Sequence, residues 1–178
     1  MTFIDQTKKW LSTVVIVHGL CPFAKPEYDN KSIHYEVIEA VGLEAQLEQL
    51  LLQCSVLDNE ADIETSLLIF PTSLLDFEDY LDMLDIATAL LKDQGYEGVY
   101  QLASFHPDYR FSDMPDEDAS HYTNRSPYPM LHILREASLE AALTAYSHPE
   151  KIPARNIQYT QALGLDTMKA LLAECYKT

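Results

Sequence analysis

Positive charge is the scarcest ingredient of this chain. Its 178 residues include 12 Lys and Arg against 28 Asp and Glu, for a formal net charge of −16. Binding nucleic acid takes clustered Lys and Arg to neutralise phosphates. No such cluster is present, so nucleic acid is not an expected partner. The same shortage disfavours an anionic membrane surface. Glycine (5) and proline (9) are too few for a low-complexity or collagen-like chain. There is no GxGxxG, no GxxxxGK[ST], no HExxH and no GxSxG. Dinucleotide redox chemistry and P-loop nucleotide hydrolysis thereby lose their main signatures. The three cysteines, Cys21, Cys54 and Cys175, are odd in number, far apart and outside any CxxC. A disulfide framework is not expected, and a reducing, cytoplasmic compartment fits better. No cofactor is named by any motif.

What is present is ordinary globular composition, 47% apolar and 22% charged. The length suits one domain, residues 1–178, large enough to build a core without metal or disulfide. The acidic excess is local. Between residues 33 and 94 there are one positive and fourteen negative side chains, −13. This reads as a solvated surface that keeps the protein soluble, with a docking face for a basic partner as the alternative. Lys8-Lys9 followed by apolar residues resembles a signal peptide superficially. Uncharged residues run only from Trp10 to Ala24, too short to span a bilayer, and Leu20 before Cys21 spoils a lipoprotein-type site.

Along the chain, a first helix is expected with Thr2 as cap and Phe3, Trp10, Val14 and Val17 on one face. The β-branched run Thr13 to Val17 leaves a strand open there. Lys25 to Lys31 reads as a turn. Ser32 to Ile38 reads as a strand, Leu43 to Leu52 as a helix, and Ser66 to Phe70 as a strand buried on both faces. Asp76 to Leu91 is the clearest helix, its first turns loaded with acids that suit the dipole. Val99 to Phe105 is the third strand. Residues 107–125 show no periodicity and read as a loop, functional or mobile. A further helix is expected from Ser126 as N-cap through Pro127 and Pro129, burying Leu131, Leu134 and Ala141. Helices Pro153 to Leu163 and Asp166 to Tyr176 finish the chain. The order strand–helix–strand–helix–strand predicts an α/β fold, a small mostly parallel sheet with helices packed on it. A ferredoxin-like α+β sandwich is the alternative.

Ligands of open parallel sheets sit beyond the carboxyl ends of strands. His106 and Tyr109 fall there, after the third strand. Asn124-Arg125-Ser126 would stand at the expected helix start, where free N–H groups favour an anion and the Arg125 fork matches carboxylate or phosphate. A small anionic molecule is therefore the expected ligand, with Asn124, Arg125, Ser126 and Tyr109 holding it. His106 would act as acid/base, assisted by Cys21 or His132. Each also has a plain structural role open to it: a hydrogen-bonded histidine, a paired arginine, a core thiol. Cys21-Pro22-Phe23 is similar to the redox turn of glutaredoxins, but Ala24 stands where a second thiol belongs.

Four stretches carry a family resemblance: Trp10 with Gly19-Leu20-Cys21-Pro22-Phe23-Ala24, Leu67-Leu68-Ile69-Phe70-Pro71, Gln101 to Phe111, and Thr123 to His132. Together they resemble the bacterial family called domain of unknown function 1415. The resemblance implies a small intracellular bacterial protein of one domain, and it implies no activity. Three functions remain in play: an enzyme acting on a small anion, a metal- or thiol-dependent binding protein using Cys21, His106 and His132, and an interaction module with an acidic docking face. Whether Cys21, His106, Arg125 and His132 converge decides among them.

Overall fold

A computed structural model describes residues 1–177. Helix α1 (Phe3–Trp10) opens with a capping box, the Thr2 hydroxyl and the Asp5 carboxylate each bonding the other's backbone N–H. It runs into a π-helical segment, Leu11–Ile16. The β-branched residues that left a strand open there instead sit in a widened helix, a form that often marks functional sites. Leu11, Val14 and Val15 are buried, but Val17 is 70% exposed and does not share their face. Lys25 to Lys31 is not a simple turn, because α2 (Ala24–Asn30) occupies it.

The sheet is built from β1 (Ile33–Val37), β2 (Thr65–Ile69), β3 (Tyr100–Phe105) and β4 (Met130–Arg135), in the order β1-β2-β4-β3. Helix α3 (Leu43–Asn59) links β1 to β2, and α4 (Phe77–Asp93), capped by Asp76, links β2 to β3. β1 and β2 pair in parallel, whereas β4 runs antiparallel to both β2 and β3. Three strands therefore point one way and β4 points against them, giving an α/β fold with a mixed sheet. Consecutive strands β1 and β2 are parallel neighbours joined through a helix, which sets the ferredoxin-like alternative aside.

One element is of a different kind from that expected. The residues after Ser126 form no helix. Met130 to Arg135 is strand β4, and helix α5 (Glu136–Ala145) begins only afterwards. Ser126 caps nothing, since its hydroxyl donates to the Tyr128 carbonyl, and Ala141 is exposed. Residues 107–125 contain a 3-10 turn, Ala119–Thr123, with Ser120, His121 and Tyr122 buried, so this segment is ordered by its own packing. Helices α6 (Ile152–Leu163) and α7 (Leu165–Glu174) close the fold, separated by Gly164.

Strand alternation divides the core in two. Leu68, Phe70, Leu131, Ile133 and Tyr100 face α3 and α4, packing with Leu50, Cys54, Leu57, Tyr80 and Met83. Leu67, Ile69, Met130 and Phe105 face the other way, toward Trp10, Val14, Val15 and Met168. Every residue of β2 is buried. Each fully buried Leu or Ile contributes about 1.5–3 kcal/mol, which makes β2 and β4 the spine of the domain.

Candidate functional site

The second face does not close completely. Between it and the segments that cover it lies a cavity of about 230 Å³. The register explains the void. Across β1, β2, β4 and β3 one row of side chains reads Tyr35, Leu67, His132, Ala103. Ala103 ends that row with a single methyl, leaving room beside His132. Phe105 and Leu134 flank the floor, Trp10, Leu11 and Val15 form one wall, and Cys21, Phe23 and Ala24 form another. Helix α5 supplies Leu139 and Ala142 as a roof, although none of its residues is itself buried. An edge contact between Phe23 and Tyr146, ring centres 5.6 Å apart, ties the end of α5 to the Cys21 turn.

His132 is fixed by an ordered pair of hydrogen bonds. The Thr65 hydroxyl donates to the Ile133 carbonyl at 2.5 Å and lies 2.6 Å from Nε2 of His132. A hydroxyl has one proton to give. With that proton on Ile133, Nε2 must carry its own hydrogen and donate to Thr65 Oγ1. Burial pulls the His132 pKa down to about 4, so the ring is neutral. Its other nitrogen, Nδ1, then presents a bare lone pair. Cys21 is the least buried of the three thiols, since Cys54 and Cys175 are fully buried. Burial still raises its pKa, and the N–H groups of Phe23 and Ala24 offset this only in part, so the thiol keeps its proton.

His106 and Arg125 lie elsewhere. The His106 ring is completely buried, sandwiched near Phe77 and Tyr80 at 5.2 and 5.1 Å. The Asp108 N–H donates to Nδ1, so Nε2–H donates to the Leu74 carbonyl at 3.0 Å. Both nitrogens are committed, and burial lowers the pKa. What His106 holds is a strained turn, for Leu74 has φ of 56°, in the left-handed region that a branched side chain rarely adopts. Arg125 donates through Nε to the Tyr109 carbonyl and through Nη1 to the Tyr122 hydroxyl, with its guanidinium 4.8 Å from the Tyr122 ring centre. It edges a shallow hollow shared with Asp76, Glu78, Asp108 and Arg110. Asn124 bonds the Ser104 carbonyl, and Tyr109 packs on Phe77. With β4 where a helix was expected, no helix begins at Ser126 beside Arg125.

The expected four-residue site thus separates into pairs, Cys21 with His132 in the cavity, and His106 with Arg125 near the charged hollow. Among the described residues no three His, Cys, Asp or Glu side chains gather to hold a metal ion, so Cys21, His106 and His132 make no metal set. No described helix is long and apolar enough to cross a membrane. Sequence reading missed Thr65, Phe105 and Ala103 as site residues. Trp10 it placed only on an apolar face.

Residues 2–170 match the family model described as Protein of unknown function (DUF1415). The chain belongs to this family. No curated protein and no solved structure matches it. The cavity lies wholly within the DUF1415 region, since its lining runs from Trp10 to Ala142.

Proposed function

We propose that this protein binds a small, largely apolar molecule in the cavity beneath α5, with Cys21 and His132 as its chemical groups. The observation that supports this is an apolar hollow of about 230 Å³ on one face of the sheet, opposite a face lined with buried hydrophobic residues. An apolar cavity of about 150 Å³ takes up benzene, so this one has room for a bicyclic molecule. A thiol that keeps its proton is a poor nucleophile, which favours binding over covalent catalysis at Cys21. The small anion anticipated from the sequence suits this cavity poorly. Its carboxylates are Glu27 and Glu64, and the Arg135 guanidinium is turned to the Leu57 and Ile63 carbonyls. An anion held by Arg125 would have two guanidinium groups, Arg125 and Arg110, set against three carboxylates.

Trp10, the sole tryptophan, lines the cavity and reports on it. Benzothiophene is expected to change Trp10 fluorescence and to raise the melting temperature in a saturable way. Ala103→Leu fills the space beside His132. It should stabilise the free protein by about 1 kcal/mol and abolish both responses. Equal responses from the variant and the wild type would place the binding elsewhere and overturn the reading.

A further inference from the structure

We infer that the molecule bound in this cavity is neutral and carries one N–H or O–H donor on a compact apolar body, which Nδ1 of His132 recognises. This deepens the cavity reading and rests on it.

The argument begins with Thr65. Its single proton goes to the Ile133 carbonyl, which forces Nε2 of His132 to be the donor and leaves Nδ1 as a pure acceptor. Among the described residues the only hydrogen bond to the His132 ring is the one at Nε2, and no group donates to Nδ1. It is not sealed off either, because Ser120 Oγ is the one fully buried, unpartnered side-chain nitrogen or oxygen among the described residues. The ring is half-buried and lines the cavity, so the open nitrogen is the one available to whatever fills that space. A ligand that covers this acceptor without donating to it strips away its water unreplaced, so a ligand that supplies a donor gains over an isostere that does not.

Of the other polar groups around the cavity, the Glu64 carboxylate and the Ser138 hydroxyl have no partner among the described residues, while the rest are occupied. Thr65 is used up by Ile133 and His132, the Arg135 fork by two carbonyls, and Glu27 by the Ser32 hydroxyl. An anionic ligand would find no free cation in these walls. A ligand of either charge would leave water for surroundings made mainly of Trp10, Leu11, Val15, Leu67, Phe105 and Leu134. An imidazole acceptor set among apolar walls selects a donor on an apolar frame.

Indole and benzothiophene have nearly the same shape and differ in the ring N–H. Calorimetric titration of the wild-type protein should show indole binding about fivefold more tightly, the worth of one neutral hydrogen bond. Protonated tryptamine and indole-3-acetate should both bind more weakly than indole. In His132→Leu, indole and benzothiophene should bind equally, with the fold checked by circular dichroism. Nitrogen-15 spectra of the wild type give a second readout that needs no variant. The Nδ1 resonance of His132 should move upfield on adding indole and far less with benzothiophene. Equal affinities in the wild type, or an unmoved Nδ1 resonance with indole bound, would overturn the donor inference while leaving the cavity reading intact. Tighter binding of either charged indole would overturn neutrality. Binding of none of these molecules would overturn the cavity reading and this inference together.

Discussion

The two faces of the sheet are made from similar residues and end in different states. Under α3 and α4, two helices of seventeen residues each lie on β2 and β4, and Leu50, Leu57, Leu68, Leu131 and Ile133 are 0–1% exposed. Its buried polar groups are matched too. Gln46 donates to the Ala40 carbonyl and to Ser73, and Ser66 meets Gln53. The opposite face is covered by pieces: an eight-residue helix, a π-helical segment, α2, the roof helix α5 and α7. Long helices tile a sheet because ridges fit grooves over several turns. Short segments meet at joints, and here the joints surround a hollow with a thiol and an imidazole in it. Tightness on one side is what lets the other side stay open without loss of the fold.

That contrast is sharpest in truncations. Leu68→Ala, on the packed face, should cost about 3–4 kcal/mol because its neighbours are held too firmly to collapse into the gap. Leu139→Ala, in the roof of the cavity, should cost under about 1 kcal/mol, since the leucine is only partly buried and already borders empty space. Urea unfolding of both variants checks this, and comparable losses would mean that the cavity side is as well packed as the other.

Acid should separate the faces next. The folded pKa of His132, about 4, lies below its ordinary 6.5, so between those values the unfolded chain holds the extra proton. The stability contributed by the neutral ring is complete above pH 6.5 and drains as the pH falls toward 4. Between pH 7 and 4.5 this amounts to about 2–3 kcal/mol. His106 is lowered in the same direction by its own burial, so wild type against His132→Leu isolates the cavity's share. A variant with an unchanged acid slope would show that His132 does not stay neutral in the folded state.

The smallest effect lies outside both cores. Arg125→Ala loses bonds to Tyr109 and Tyr122 and should cost about 1 kcal/mol, discounted for its partial exposure. Sulfate should stabilise wild type and variant alike, through exclusion from the surface. A sulfate response that disappears with Arg125 would make the charged hollow a second binding place.

The packed face was legible in the sequence. Ser66 to Phe70 stands out as a doubly buried strand, and Asp76 with the acids that follow it marks the start of α4. β4 was hidden by its own preface. Ser126, Pro127 and Pro129 imitate a helix entry, and Met130 to Leu134 is a short apolar run that fits either period. A run buried on both faces loses the alternation that betrays a strand. The cavity was legible only in fragments. Cys21 and His132 were candidates on their own merits. The space between them comes from Ala103 standing opposite His132 in register, and no reading of one segment at a time can show an absence of atoms shared by eight elements.

The position of β4 also bears on how the chain assembles. β2 and β3 are not neighbours, and the strand that joins them is made last. On a ribosome, β1 and β2 can pair as soon as they emerge, whereas β3 has no partner until residues 130–135 arrive. Until then β2 offers an apolar, unpaired edge, the kind of surface that recruits strands from other chains. Closing the sheet means threading β4 into a gap between two waiting strands, a step with high contact order and a correspondingly slow rate. The polypeptide is thus most vulnerable to aggregation in the interval between the completion of β3 and the arrival of Met130 to Arg135. A synthesis pause placed within residues 106–129 would lengthen that interval.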